Sequence, residues 1–478
     1  MLILAAVLAI FVYGVIAAML GTILPGLAER FHLTPKQNGV IAFAQALGLM
    51  IASLGVGPLI DNEGKKIGLI IGLALIALAL ASLPKASGYG SIIALLFLLG
   101  LGGGVVVTGA NALVSDVAEA HRGTALNLVN LFFGLGGMAT PFIAANLLKR
   151  DTVKLCYAAG VFAVVALAVQ WAAPIPGPTG VQSFVLADAG AVLGKPILLL
   201  CGLLLFLYVS CEVGIWNWLA QHLIAQGIPE SRALNVLSLG FALGLLVGRV
   251  AVSPILITVP PATVTLVSAV AMAVTSYLLF SGRVPLMTRA SGGYGGPALV
   301  GCLAGGAVGF LGGTSPTLSF LDVLTRGASM RGIDAVLRKP VAEIASNYML
   351  AGALAGLVAG LGLASILSKL RHRGLHDKTK PSANLTPAWI LVFITGVAMA
   401  PVFPTTLAIV GDAFPRMTGT AIGFAITCGW LGLAVSSRII GAIAGGDPKR
   451  LKKALLVIPA FSVLMVAINL AILSALHK

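Results

Sequence analysis

The sequence predicts an all-α polytopic membrane protein of about fourteen spanning helices. Three observations carry that expectation. The 478-residue chain is 58% hydrophobic and only 9% charged, with a mean hydropathy of +1.04, whereas a soluble domain carries about 25% charged residues. Apolar runs of the length needed to cross the hydrocarbon as a helix, roughly 20 residues, recur along the whole chain. The short alternating segments of a membrane barrel are absent.

The runs, in order, lie near 1–27, 37–57, 66–83, 90–113, 123–148 and 154–173. The first, free of charged side chains from Met1 to Ala28, lacks a basic leading region and is too long for an ordinary signal-peptide core, so it reads as the first span. A Pro/Gly-bearing stretch from Pro174 to Lys195 follows. Eight further runs lie near 196–222, 233–254, 260–281, 296–317, 347–368, 388–411, 419–443 and 454–476. The expected organisation is a six-helix bundle over 1–173, a cytoplasmic linker over 174–195, and a C-terminal bundle over 196–478 with an inserted helix pair at about 283–387.

Charge and cysteine usage exclude several classes. The net charge of +15 is carried by short loops between apolar runs, which points to solvent and lipid headgroups and away from nucleic acid. The five cysteines (Cys156, Cys201, Cys211, Cys302 and Cys428) sit in or beside apolar runs without metal-ligand spacing. No Walker A sequence is present. The six histidines are scattered, so an enzyme is not expected, nor is a cofactor or metal.

The two halves resemble each other. Asp116 is followed seven residues later by Gly123-Thr124-Ala125, and Asp412 by Gly419-Thr420-Ala421 at the same spacing. That offset of 296 also superposes Gly100 on Gly396 and Leu135-Gly136 on Leu431-Gly432. Earlier in the halves the offset is 191 to 192, matching Leu27-Ala28 to Leu219-Ala220 and Val56-Gly57 to Val247-Gly248. The change leaves room for two extra helices, the runs at 296–317 and 347–368. Being even in number, they preserve the direction of every later helix. Parallel repeats about an axis along the membrane normal belong to a transporter plan with the solute bound at the midplane.

After the second run stands Gly57-Pro58-Leu59-Ile60-Asp61-Asn62-Glu63-Gly64-Lys65-Lys66-Ile67-Gly68-Leu69. This resembles the loop motif G-x-L-x-D-R-x-G-R-K-x-x-L of the major facilitator superfamily, with Asn62 in place of the usual arginine and Lys65 in place of the second. Asp61 suits the N-terminus of a neighbouring helix. Further stretches resemble the fucose–galactose–glucose/proton symporter branch: Gly109-Ala110-Asn111-Ala112-Leu113; Ala125-Leu126-Asn127 through Gly136 and Pro141; Tyr208-Val209 with Glu212 and Trp218; and Pro401 to Thr405. The resemblance implies two six-helix bundles in a parallel pseudo-twofold repeat, here with two added helices, in a multi-pass protein of the cell's inner membrane. It also implies that the Asp61 loop is cytoplasmic. Asp61, Gly64, Lys65, Asp116, Arg122, Arg249 and Arg416 then fall on cytoplasmic loops or helix ends and are expected to gate, stabilising the outward-facing state.

Glu212 is the one acid well inside an apolar run. A carboxylate in hydrocarbon must be paired, protonated or wetted, and intramembrane ionisable groups are functional by default. It is therefore the expected coupling and solute-binding residue; the bland alternative is a structural acid. Asn111, Asn127, Asn130, Asn217 and Gln45 offer both donors and acceptors to a hydroxyl-rich solute, or else serve as interhelical bonds. Tyr208 shares a helix face with Glu212. Trp216 and Trp218 supply rings that stack on sugars or organic cations, or an interfacial belt. Trp430 is a further cavity candidate. The expected function is secondary active transport of a small polar solute, foremost a sugar, by alternating access with H⁺ or Na⁺. A proton-driven exporter of drugs or metabolites is the rival, and a non-transporting receptor or scaffold on the same fold is the second.

Overall fold

A computed structural model describes residues 2–148, 151–177, 190, 192–282, 286, 385–445 and 448–476. The runs at 296–317 and 347–368, and with them the inserted pair, lie outside the described residues. Eleven described segments are long and apolar enough to cross a membrane, and α5 below is a further long helix.

The first six helices are α1 (Leu2–Phe31), α2 (Pro35–Glu63), α3 (Lys65–Ser82), α4 (Tyr89–Val117), α5 (Arg122–Asn146) and α6 (Thr152–Ala172). Next come α7 (Pro196–Ala225) and α8 (Glu230–Asn235), which runs through a π-helical turn at Val236–Phe241 into α9 (Ala242–Ile255). They are followed by α10 (Pro261–Ser281), α11 (Thr386–Met399), α12 (Val402–Ala413), α13 (Thr418–Ala444), the short α14 (Pro448–Ala454) and α15 (Val457–Leu476). Element ends are set by local chemistry. Thr34 and Gln37 form a reciprocal capping box at the start of α2. Asp151 accepts the Lys154 amide at 3.0 Å to cap α6, and that bond holds its carboxyl below the usual carboxylate range. Gly64, at φ 94°, makes the one-residue break between α2 and α3.

The chain divides into two compact units. The first comprises Met1–Phe206, Pro404–Ala434 and Ala471–Lys478; the second comprises Leu207–Phe403 and Val435–Leu470. In the first, α1 packs on α5, α2 on α4, and α3 on α4 and α6. Lipid supplies no hydrophobic drive between helices, so close backbone approach has to come from small residues. Gly14 of α1 and Gly136 of α5 face each other: a Cβ on Gly14 would run into the Phe133 carbonyl, and one on Gly136 into that of Phe11. Buried Gln170 of α6 donates to the Ala5 carbonyl of α1 at 2.7 Å. In the second unit, α9 and α10 pack on α11, with Gly244 and Gly396 in close contact.

Candidate functional site

The loop resembling the family motif is the centre of a buried charge network in the first unit. Asp61 lies in the last turn of α2, and the turn at Gly64 throws Lys65 back over it, so the two come within 3.7 Å at i,i+4. Asp61 sits on the N-terminus of α13. It accepts the Gly419 amide at 2.8 Å, the Thr420 amide at 2.7 Å and the Thr420 hydroxyl at 2.8 Å. Those amides are among the donors a helix start leaves unsatisfied, and the helix dipole favours the negative charge there. A Cβ on Gly57 would come within 2.6 Å of the Thr420 Cα, so the motif's first glycine is what lets α2 reach α13. Lys65 also pairs with Asp116 at 2.7 Å. Lys66 donates to the Ala173 carbonyl at 3.0 Å, closing the end of α6.

The repeat then appears as reciprocal contacts. Asp116, at the end of α4, accepts from the Thr418 hydroxyl at 2.7 Å. Its counterpart Asp412, at the end of α12, pairs with Arg122 at 2.5 Å. Arg122 and Thr418 occupy equivalent positions in the two repeats. Arg122 is buried, donates its Nε to the Ser115 carbonyl at 2.8 Å, and lies 3.7 Å from exposed Glu119. Arg416 is exposed in the turn between α12 and α13 and makes no ion pair among the described residues. Thr418, Gly419, Thr420 and Asp412 also belong to this network, and the last three are marked in the sequence by the repeat.

Above this network the first unit holds a layer of carboxamides. Asn111 of α4 donates to the Val107 carbonyl and accepts from Asn130 of α5 at 2.7 Å. Asn127 donates to the Gly123 carbonyl and to the Thr405 hydroxyl of α12 at 3.0 Å. All three are buried; the Asn127 and Asn130 amides tie helix to helix, while the Asn111 amide donates within α4. The Oδ1 of Asn127 and the Oε1 of buried Gln45 remain without a hydrogen-bond partner. Trp430 of α13 donates to Ser53 of α2 at 3.3 Å and packs edge-on against Tyr13, which stacks on Phe133 at 5.1 Å. Tyr13, Phe133 and Ser53 carry no sequence signal that separates them from other apolar-run residues.

The second unit holds Glu212. It is half-buried on α7, and its carboxylate is in electrostatic reach of Arg249 on α9, with Tyr208 and Trp216 one turn away on either side. Arg249, expected among the gating charges at the helix ends, lies within α9 and is buried at 4% exposure. Tyr208 is fully buried, with its ring 6.5 Å from Phe403. Its hydroxyl lies against Glu212 and Arg249 but completes no hydrogen bond of good geometry. Trp216 is 38% exposed and meets Phe241, the last residue of the π turn, edge to face at 5.3 Å. Asn217 is exposed, and Trp218 packs near Gly441 with its indole N–H unpartnered.

Comparison with known proteins places these features. The family profile described as Major Facilitator Superfamily matches residues 6–333. The 4-hydroxybenzoate transporter PcaK of Pseudomonas aeruginosa is 29% identical over 143 residues, covering 30% of this chain and 32% of that one. A glucose/galactose transporter of Brucella abortus is 26% identical over 259 residues, covering 50% of this chain and 63% of that one. The matched stretches thus span less than two thirds of either relative. Among solved structures, the fucose:proton symporter FucP of E. coli aligns with a TM-score of 0.64 at 13% identity, covering 98% of both chains. The proton:xylose symporter XylE aligns with a TM-score of 0.60 at 14% identity, over 98% of this chain and 94% of that one. At such identities the likeness is one of fold.

Proposed function

The chain belongs to the Major Facilitator Superfamily, and on that premise we propose that it is a proton-coupled symporter of a small sugar-like solute in a cell membrane, working by alternating access. The observation that carries the reading is Glu212 inside α7, with buried Arg249 of α9 in electrostatic reach and Tyr208 and Trp216 one turn away on either side. An ionisable group held inside a membrane span is costly unless its charge is managed. A carboxylate within electrostatic reach of one cation can alternate between an anion and a neutral acid, and that alternation is what coupling requires. Trp216 gives a sugar ring an apolar face beside the polar edge. The names of the fucose and xylose symporters and of the glucose/galactose transporter agree with a sugar-like solute.

The Asp61–Lys65–Asp116 network with Arg122 and Asp412 is, in this reading, the latch of one gate. Its members join the loops that must part when the solute path opens on that side. The six-helix halves divided at 174–195 are the bodies that rock.

Uptake of labelled sugars into proteoliposomes, with and without an inward pH gradient, tests the proposal. Uptake is expected to rise several-fold with the gradient, and Glu212→Gln to abolish that rise while leaving gradient-independent exchange. Gradient-driven uptake unchanged in Glu212→Gln would remove Glu212 from the coupling role.

A further inference from the structure

The cations of α14 take no part in the transport reading. Lys449, Arg450, Lys452 and Lys453 make up most of this short helix. α13 runs for 27 residues, enough to cross the hydrocarbon, and α15 returns over 20. α14 between them therefore lies at the membrane surface, on the face opposite the start of α13 and the Asp61 loop. With that loop cytoplasmic, as the family resemblance implies, α14 is external, where short loops are poor in Lys and Arg. Cations gathered at such a place ask for a partner. The helix is amphipathic: Leu451 and Ala454 are buried, whereas Arg450, Lys452 and Lys453 are exposed. α14 packs on α10, and the Lys452 ammonium lies over Gly282, so that a Cβ on that glycine would run into it. Gly282 ends α10 at φ 74°, and a lysine there complements the carbonyl end of the helix dipole. Neither Lys452 nor Lys453 makes an ion pair among the described residues. Directly after α14, Leu456 begins an exposed apolar stripe that continues along one face of α15 through Val463, Leu464 and Leu470.

We propose that α14 and the exposed face of α15 bind an anionic phospholipid of the outer leaflet. Its phosphate meets Arg450, Lys452 and Lys453, and one acyl chain lies along Leu456, Val463 and Leu464. The two parts of the surface select that partner together. Cations at headgroup level attract an anionic lipid, and a zwitterionic one would leave them without a net counter-charge. The apolar stripe continuing from them to acyl depth has no use for a soluble anion. Because Lys452 also covers the end of α10, a lipid held there fastens α14 to α10 and stabilises the second unit.

Phosphatidylglycerol and phosphatidylcholine of matched acyl chains are the probes. The delipidated full chain in detergent is titrated with each, and bound lipid is counted by native mass spectrometry. Phosphatidylglycerol is expected to bind about tenfold more tightly and to raise the unfolding midpoint, since each basic side chain at the surface adds to the attraction. Arg450→Gln/Lys452→Gln/Lys453→Gln should bring its binding down to the level of phosphatidylcholine. Arg30→Gln/Lys85→Gln/Lys154→Gln removes the same charge from exposed positions at helix ends on the same membrane face and should leave the preference in place. Lys453→Glu, which keeps Lys452 over Gly282, is the second test should the α14 triple variant fail to fold; it is expected to weaken phosphatidylglycerol binding several-fold. Equal binding of the two lipids by the parent overturns the proposal, as does a preference retained in the folded triple variant or in Lys453→Glu. Equal losses in the two triple variants would show general attraction to a basic face, and no site at α14. Displacement of the lipid by millimolar sn-glycerol 3-phosphate would show that the cations take a soluble phosphate, and would overturn the assignment of a lipid.

Discussion

Asp61 shows how much one carboxylate carries in a chain with so few charges. It is almost wholly enclosed, accepts three hydrogen bonds from the start of α13 and faces Lys65. Removing one partner of a buried charge pair costs about 3–5 kcal/mol, because the other charge is left behind. Asp61→Ala is therefore expected to lower the unfolding midpoint of the purified protein strongly. Asp61→Asn should lower it less, since asparagine also accepts at a helix N-terminus. Equal midpoints for both variants and the parent would mean that the cap contributes nothing. The motif made Asp61 legible as a group suited to a helix N-terminus. Which helix was not legible, because α13 lies more than 350 residues away in sequence. The same limit hid the setting of Arg249: composition shows an arginine near the end of an apolar run, and only the fold buries it within electrostatic reach of Glu212. The three asparagines were legible as polar groups in apolar runs, but whether their amides face a solute or a neighbouring helix depends on rotation about the helix axis, which a uniformly apolar sequence leaves almost unmarked.

At the scale of elements, the spans were legible because length and apolarity are what a bilayer demands of a helix. The break between α2 and α3 was marked by Gly64 within the motif. The π turn at Val236–Phe241 was not legible, since one extra residue in an apolar helix leaves no compositional trace. Helix pairing rests on glycines whose partners sequence does not name. Gly136→Leu should force α1 and α5 apart, because its new side chain would meet the α1 backbone. Overpacking of that kind costs about 1–3 kcal/mol or more. Gly55, on α2, has open space around it. Gly55→Ala should be neutral or stabilising, by up to about 1 kcal/mol, as alanine is the better helix former. Unfolding midpoints of the two variants, measured side by side, check the contrast: similar shifts for both would show that close approach at Gly136 is not what joins α1 to α5.

For the whole molecule, the repeat read from Asp116 and Asp412 anticipates contacts that no single half explains. Asp116 meets Thr418 and Asp412 meets Arg122, so each acid contacts the residue equivalent to the other's partner. The two members are unequal. Arg122 is 6% exposed while Asp412 is half exposed, and an exposed partner adds little on its own. The buried Lys65–Asp116 pair and the Arg122–Ser115 bond are then the stronger part of the latch. If it closes one face of an alternating-access cycle, weakening it should raise access to the groups beneath it. Ser115 is such a group: it is fully buried, and its hydroxyl lies against Gly411. In a background with all native cysteines replaced, a single cysteine at position 115 should react with a membrane-permeant maleimide several-fold faster when Asp116→Asn or Arg122→Gln is added. Saturating solute should also change the rate in the parent, whose network is intact, because loading moves the population between the two faces. Labelling indifferent to both variants and solute, in a preparation that still transports, would mean that the network holds the fold together and takes no part in the cycle.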